Sequence, residues 1–562
     1  MNYLTLLISI ILIICIFIVI KYSFSIKAKR FKETLNNQFG SIPVRENDFE
    51  SISTYWQQRR SNEDMAHFID DISWNDLDMD KIFHRINACQ CSVGEEYLYS
   101  MLRQPITDTS VLANREELMT YFEVNPVLRL DLQVILSKIG RENYNGLSSF
   151  CYDVQSKKLK NPWLFMILSV LPILFIVLIL LKSPIGVIGL ILSFVINIAV
   201  YYFTNKRIVR GLSAIRYFSA VLWGAVKINR VCTHLQNHIL NDLRFSCDVF
   251  KHLGKKLSGL AQRRLTDIEA LIEYIYILFL IPIRNYNKIL DTIEKNNDAF
   301  CLLFKSIGEI DAAISVLSFR ESLPFYIQPE FSSQKAVETA DIYHPLLTAP
   351  VPNSVTITKN CLVSGSNASG KSTFIKAVAI NGILAQTINT CTAKKYQTRL
   401  ALVVTSMAVR DNISAGESYF ITEIKSLKRI LKKAENTYCL CIIDEILKGT
   451  NTIERIAASS SVLSYLNRLD CLCIVATHDI ELTRILAAIY SNYHFSEQIT
   501  SGGIEFDYKI KEGPSQTKNA IKLLDYLGFD PQITDNAEKM VQKFEDTKKW
   551  QSPAQNDGNN KN

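Results

Sequence analysis

The sequence predicts an α/β P-loop NTPase domain with a mostly parallel sheet at the C-terminus. An all-α region precedes it, interrupted by a transmembrane helical hairpin, and an additional transmembrane helix stands at the N-terminus. Three observations carry this. Short β-rich runs alternate with helical segments after about Ser332, a phosphate-loop pattern stands between one such run and a helix, and three apolar runs lie before residue 204. The 562-residue length suggests about three or four structural units, and 48% hydrophobic against 21% charged residues excludes a mostly disordered chain. A mean hydropathy of +0.09 is high for a soluble enzyme and places apolar mass in lipid. The formal charge of +7 fits anionic lipid or nucleic acid without demanding either.

The first apolar run extends from Leu4 to Ile20, with only Thr5 and Ser9 as polar interruptions, and Lys21, Lys27, Lys29, Arg30 and Lys32 follow. A cleaved signal peptide would need a charged start, a shorter apolar stretch and a small-residue cleavage site, so residues 1–26 are expected to be an anchor. The basic cluster after the run puts the N-terminus outside and the bulk in the cytoplasm of a cell with this protein in its inner membrane. The second block comprises Trp163–Leu181, the turn Lys182-Ser183-Pro184, and Ile185–Phe203. Two spans of this length make a hairpin over residues 161–205, and flanking Lys157, Lys158, Lys160, Lys206, Arg207 and Arg210 keep both ends inside. The alternative is a very apolar buried helical pair. Ile275–Ile283 is too short to span and reads as a core helix.

Residues 50–150 and 212–320 show helical apolar spacing, so 27–160 and 206–331 are expected to be helical regions, whereas residues 332–550 show the α/β texture. The expected strand runs are Ser354–Val363, Leu400–Thr405, Tyr438–Ile443 and Cys471–Ala476. The polar tail 551–562 is expected to be disordered. Thirteen cysteines, an odd number without a framework, argue for a reduced compartment. Cys439/Cys441 and Cys471/Cys473 lie in apolar runs and read as strand core, and Cys89/Cys91 is a third such pair. His234 and His238 have helical i, i+4 spacing without an evident acidic partner, which fits a solvated face rather than a metal site.

Gly365-Ser366-Asn367-Ala368-Ser369-Gly370-Lys371-Ser372 fits GxxxxGK[ST], preceded by a strand-like CLVS and followed by a helical stretch from Thr373. The loop's amides would wrap phosphates, Lys371 would reach the β and γ oxygens of ATP, and the Ser372 hydroxyl would bind Mg²⁺. Downstream, the apolar Cys439–Ile443 leads into Asp444 and Glu445. Asp444 would hold Mg²⁺ and Glu445 would orient or deprotonate the attacking water. A further strand ends at His478, placed to sense the γ-phosphate. A domain that binds nucleotide without turnover remains the alternative.

With these residues in hand, the chain resembles the MutS family of mismatch-repair ATPases. Gly365–Thr373 resembles that family's phosphate loop. Arg410–Phe420 with Glu423 resembles its dimer signature, Asp444–Thr452 its Walker B and following loop, and Ala476–Thr483 its His motif. Tyr343-His344-Pro345-Leu346-Leu347 with Val351-Pro352-Asn353 resembles the start of the same domain, and Glu512-Gly513 through Leu527-Gly528-Phe529-Asp530-Pro531 and Ala537 its C-terminal helical element. Cys91–Glu96 through Leu102–Pro105 and Arg115 resembles the family's helical core, which makes the two helical regions halves of one lever domain. The hairpin then interrupts that domain near the family's DNA-gripping clamp. Residues 21–50 are too short for the mismatch-reading and connector domains, and Phe31-Lys32-Glu33 is read as a coincidence with the reader's letters.

The resemblance implies that Asn367 supports the phosphates and that Ser418, beside Gly416, reaches the γ-phosphate of a partner subunit. The expected assembly is a homodimer with composite sites. Pro350 stands where the family often has an aromatic, so adenine stacking is assigned to Tyr508. DNA is a candidate partner, with Lys251, Lys255, Lys256, Arg263 and Arg264 and then Lys425, Lys428, Arg429, Lys432 and Lys433 as basic clusters that otherwise serve as solvated faces. Two alternatives stay open. Ile413–Glu417 loosely resembles an ABC transporter signature, and a nucleotide-gated membrane scaffold would bind ATP without hydrolysis.

Overall fold

The computed structural model describes residues 3–261, 275–366, 369–407, 419–500, 503–515, 520–547 and 550. Those residues fold as two compact units. One is helical, from Met1–Phe68, Asp80–Pro324 and Gln386–Asn389; the other comprises Ile69–Met79, Phe325–Ala385 and Thr390–Asn562.

In the helical unit, Tyr3–Gln38 is one continuous helix that carries both the first apolar run and its basic cluster. The second block forms helices Pro162–Leu180 and Pro184–Val231, each with Pro in its first turn, where the missing N–H costs no helical bond. Gly189 permits close approach, because a Cβ there would stand 2.2 Å from the Phe175 ring. The expected end of the second span at Phe203 is not a break. No proline lies between 185 and 231, and Lys and Arg are good helix formers, so a change of polarity at Lys206 leaves the helix running 48 residues.

Ile275–Ile283 does not form the expected single helix. Its first turn ends at Leu280, which adopts φ +51°, and a new helix Ile281–Lys295 begins with Pro282, which cannot donate to a preceding turn. Fully buried Asn197 ties this segment to the hairpin by donating to the carbonyls of Leu168 (3.0 Å) and Leu278 (2.7 Å). The two histidines are both exposed, as expected of a solvated face, but they do not share a helix. His234 lies in a turn, whereas His238 opens the helix His238–Ala261 and meets Asp242 at 3.3 Å, an acidic partner one turn on.

Helix Asn297–Glu321 is the unit's core, buried from Ser306 through Arg320. Its Asp311 accepts from the amides of Gln90 and Cys91, capping the approach to helix Ser92–Arg103. Burial pushes this carboxyl up to about 6. Arg115 pairs with Glu309 at 2.7 Å, and Arg320 with Glu116 at 2.7 Å, so side chains more than 190 residues apart in sequence meet as buried ion pairs.

The second unit contains strands β1 (Glu330–Phe331), β2 (Val337–Ile342), β3 (Asn353–Ile357), β4 (Cys361–Ser364), β5 (Lys395–Thr398), β6 (Leu402–Ser406), β7 (Cys439–Asp444), β8 (Cys471–Thr477), β9 (Ser491–His494), β10 (Glu497–Thr500), β11 (Gly503–Phe506) and β12 (Lys511–Glu512). A six-stranded sheet has the order β12-β9-β4-β8-β7-β6, parallel except for β12, and a four-stranded mixed sheet has the order β1-β5-β2-β3. The expected single run Ser354–Val363 is split between the two sheets as β3 and β4. Buried Asn360 makes the corner, donating to Asn467 and accepting from the Cys473 amide at 2.9 Å. Cys439 and Cys441 stand in register with Cys471 and Cys473, all fully buried in the sheet.

An eleven-residue piece of the expected first helical region, 69–79, belongs to this unit. Its helix Asp71–Asp76 lies on β6, where Asp76 accepts from the Thr405 hydroxyl (2.6 Å) and the Met407 amide (3.1 Å). Asp70 caps the helix through the Ser73 amide and pairs with Arg429, with Lys433 at 3.7 Å. Arg429 is therefore an internal clamp and not part of a free basic face, a correction to the second cluster. Burial pushes the Asp70 carboxyl up, but Arg429 and the Ser73 amide hold it below the usual carboxylate range. A depressed carboxyl stabilises the fold above its unfolded pKa and loses that contribution as pH falls through the folded value. Asp70→Asn should therefore lower the unfolding temperature at pH 7, by the equivalent of about 3 kcal/mol for a broken buried pair, and the difference from wild type should shrink as pH falls below about 4. Thermal melts of the two proteins across pH 3–7 check both the loss and its disappearance.

Candidate functional site

The parallel register builds the site at the carboxyl ends of β4, β7 and β8. Ser364 pairs with Thr477, and Asp444 with Ala476, so the loops that leave these three strands emerge side by side. The first is the phosphate loop. Gly365 adopts φ +140° and a Cβ there would stand 2.6 Å from the Phe495 carbonyl, while Gly370 at φ +104° opens the helix Lys371–Ile388. Ser369 closes the loop by donating to the Ser366 carbonyl at 2.8 Å. Asn367 and Ala368 lie outside the described residues, as do Ser418 and the rest of 408–418.

The Lys371 ammonium is buried and folds back onto the carbonyls of Gly365 (2.7 Å) and Ser366 (2.6 Å). Burial lowers its pKa to about 8 against the opposing pull of Glu445, Asp444 and Glu497. Ser372 donates to Asp444, whose carboxyl is raised by burial. The Asp444 Oδ1 is buried without a hydrogen-bond partner. A hydroxyl and a carboxylate in contact, with one oxygen left over, are a donor set that fits Mg²⁺.

Glu445 leaves β7 in the left-handed region (φ +56°), its amide held by the Ala476 carbonyl at 2.9 Å. This turn aims the carboxylate at His478, whose Nε2 lies 2.5 Å from Oε1, while Lys448 pairs with the other oxygen. The His478 hydrogen bond, with Lys448, holds the Glu445 carboxyl down at about 2. The loop after β8 is fixed in turn by Asp479, which accepts from Arg455 at 2.6 and 3.0 Å.

A cavity of about 530 Å³ opens beside the loop, lined by Ser366, Gly370, Lys371, Ser372 and Thr373 at one part and by Pro350, Val351, Phe374, Phe495 and Tyr508 at another. Asn353 shapes it. Its Nδ2 donates to the Tyr508 carbonyl (3.0 Å) and its Oδ1 accepts from the Ile510 amide (2.8 Å), which sets the Tyr508 ring against Gly370. A polar loop beside an apolar, aromatic-edged recess suits a ligand with phosphates at one end and a planar base at the other.

The structure thus brings Gly365, Ser366, Ser369, Gly370, Lys371, Ser372, Thr373, Asp444, Glu445, His478 and Tyr508 to one place. Sequence reasoning missed Lys448, the clamp made by Asn353, and Glu497. Glu497 carries no motif. Buried at the start of β10, it accepts from the Ser366 hydroxyl at 2.8 Å and so puts a carboxylate where phosphate charge would arrive. Removing that charge by Glu497→Gln should tighten ATP binding about tenfold in titration calorimetry, and unchanged affinity would make Glu497 purely architectural. A Lys371 near pH 8 before binding, protonated against phosphate afterwards, predicts proton uptake when ATP binds at about pH 9 and affinity that falls as pH rises past 8. Heats compared in two buffers of different ionisation enthalpy test it.

Residues 361–545 match the family model of MutS domain V. Similar relatives are the DNA mismatch repair protein MutS of Clostridium botulinum (strain Okra), 27% identical over 56% of this chain and 34% of the relative. That of Streptococcus uberis is 26% identical over 46% and 32%, and that of Leptospira interrogans 27% over 51% and 35%. The chain spans about a third of the length of these curated relatives. With a P-loop α/β unit and this set of loops, residues 361–545 carry the likeness to MutS domain V, and the chain is similar to part of a full-length MutS.

Proposed function

We propose that this protein is a membrane-anchored, MutS-type ATPase that binds and hydrolyses Mg·ATP as a dimer. The observation that carries the reading is the meeting of Lys371, Ser372, Asp444, Glu445 and His478 at the carboxyl ends of β4, β7 and β8, next to a cavity that Lys371 and Ser372 line. Lys371 would exchange its two loop carbonyls for phosphate oxygens, and the loop amides and helix N-terminus would hold the rest of the charge. Mg²⁺, held by Ser372 and Asp444, would offset charge on the β and γ oxygens. Glu445 would position a water against the γ-phosphorus and accept its proton as the terminal phosphoryl group leaves ADP, once it is freed from its present pairing with Lys448 and His478. Tyr508 would stack on the base.

Membrane anchoring is supported by two helices long and apolar enough to cross a bilayer, whose apolar stretches are mostly not buried in the protein. A part in DNA mismatch repair comes from the named relatives and dimerisation from the family resemblance, and DNA is the candidate ligand of the helical unit. Steady-state hydrolysis by the full chain in detergent tests the reading. Lys371→Ala should abolish nucleotide binding, and Glu445→Gln should keep binding while slowing turnover at least about 100-fold. A rate unaffected by Glu445→Gln would reject the catalytic assignment. Stimulation by duplex, mismatched or branched DNA that fades with salt would support a DNA ligand, and indifference to all three would remove it.

A further inference from the structure

Between residues 154 and 241 the chain has ten Lys and Arg and no Asp or Glu. The hairpin lies inside this stretch, so its charge is all of one sign and none of it can be neutralised locally along the sequence. The antiparallel register of the two helices fixes depth. Asn197 meets Leu168, and Gly189 meets Phe175, so counting outward places Trp163 at the level of Tyr202, and Lys160 near Lys206. From Pro184 to Phe203 the second helix rises about 30 Å, a hydrocarbon thickness.

At the end of that rise the exposed surface changes in a definite order. Trp163 and Tyr202 are about two-thirds exposed and offer amphipathic rings. Lys160, Lys206, Arg207 and Arg210 are exposed about 5–12 Å further on, the depth of lipid phosphates. These four form no ion pair among the described residues, whereas neighbouring Lys158 is already paired with Asp291 and Glu294 at 2.5 Å. Because the second helix continues without a break to Val231, Lys206, Arg207 and Arg210 stand on rigid backbone at fixed depth, and Lys160 lies two residues before the first helix.

We propose that Lys160, Lys206, Arg207 and Arg210 form a headgroup-binding collar that selects anionic phospholipids around the hairpin. The inference rests on the hairpin's being membrane-spanning. A nucleic-acid backbone offers the same phosphate chemistry, but the aromatic ring directly below the cations and the acid-free apolar helices beneath it favour a lipid surface.

The test reconstitutes the full chain into vesicles of phosphatidylcholine alone or with 30% phosphatidylglycerol. Insertion is scored by resistance to carbonate extraction, and lipids that co-purify after excision of the protein with a styrene–maleic acid copolymer are quantified. Wild type should insert into both and carry phosphatidylglycerol enriched roughly fivefold over the bulk. The triple variant Lys206→Gln/Arg207→Gln/Arg210→Gln should insert equally well and lose the enrichment, and single Arg207→Gln or Arg210→Gln should lose part of it. Insertion without enrichment, or enrichment that survives the triple variant, overturns the collar while leaving the membrane reading intact. Failure of wild type to insert into either vesicle overturns the membrane reading and the collar with it. Loss of duplex-DNA binding in the triple variant without any lipid enrichment in wild type would reassign the surface to nucleic acid.

Discussion

The parallel register of β4, β7 and β8 is the constraint on which the nucleotide-binding unit depends. Parallel strands end on the same edge, and three consecutive neighbours in the sheet deliver the phosphate loop, the Asp444-Glu445 pair and His478 to that edge within a few ångströms. A slip of one residue between β7 and β8 would turn Asp444 away from Ser372 and move the Glu445 amide off the Ala476 carbonyl. What secures the register is the run of fully buried apolar and thiol side chains in the interior of these strands, which exclude water from both faces. The cysteines that stand opposite one another in β7 and β8 thus contribute to chemistry by fixing position at the other end of their strands.

Charge is arranged on that frame so that Lys371, Glu445 and Glu497 each have an internal partner. Lys371 rests on loop carbonyls, Glu497 takes the Ser366 hydroxyl, and Glu445 is shared by His478 and Lys448. Leaving any of these unpaired in a largely dry pocket would cost more than the net worth of a hydrogen bond. The helical unit follows the same rule with different means, since Asp311, Arg115–Glu309 and Arg320–Glu116 tie distant segments through satisfied polar contacts in an otherwise apolar core.

Legibility in the sequence followed locality. The phosphate loop, Asp444 and Glu445 were readable because each sits where a short strand meets a loop, and both the strand's apolar run and the loop's residues are contiguous. Apolar runs gave both ends of the first hairpin helix and the start of the second to within one residue. The 48-residue extent of the second helix was not legible, because a polarity change is a change of solvent and not of backbone preference. The corner at Asn360 and the break at Leu280 were hidden for the opposite reason: each depends on partners or geometry outside its own run. Arg429 read as one cation in a basic cluster because its partner, Asp70, lies 359 residues away. Glu497 had no pattern to announce it.

The internal satisfaction of the site also says what nucleotide must do to enter. Among the described side chains, Lys371, Ser372, Glu445 and His478 are each engaged with another part of the protein, whereas the Asp444 Oδ1 is buried without a hydrogen-bond partner. On the proposed reading, binding would be an exchange of partners in which Lys371 gives up two carbonyls, and catalysis would require a second exchange at Glu445. Exchange of equal numbers of hydrogen bonds yields little net energy, whereas replacing neutral carbonyls by phosphate oxygens gives the buried ammonium a full counter-charge. The first exchange is thus driven by charge, and the metal site, with its leftover oxygen, is prepared in advance. The second has no such drive from ATP alone, because Glu445 already has two cation-bearing or proton-donating neighbours. On the same reading, such a site would hold nucleotide readily and turn it over only when something else moves Lys448 or His478, so that hydrolysis would be gated by a partner.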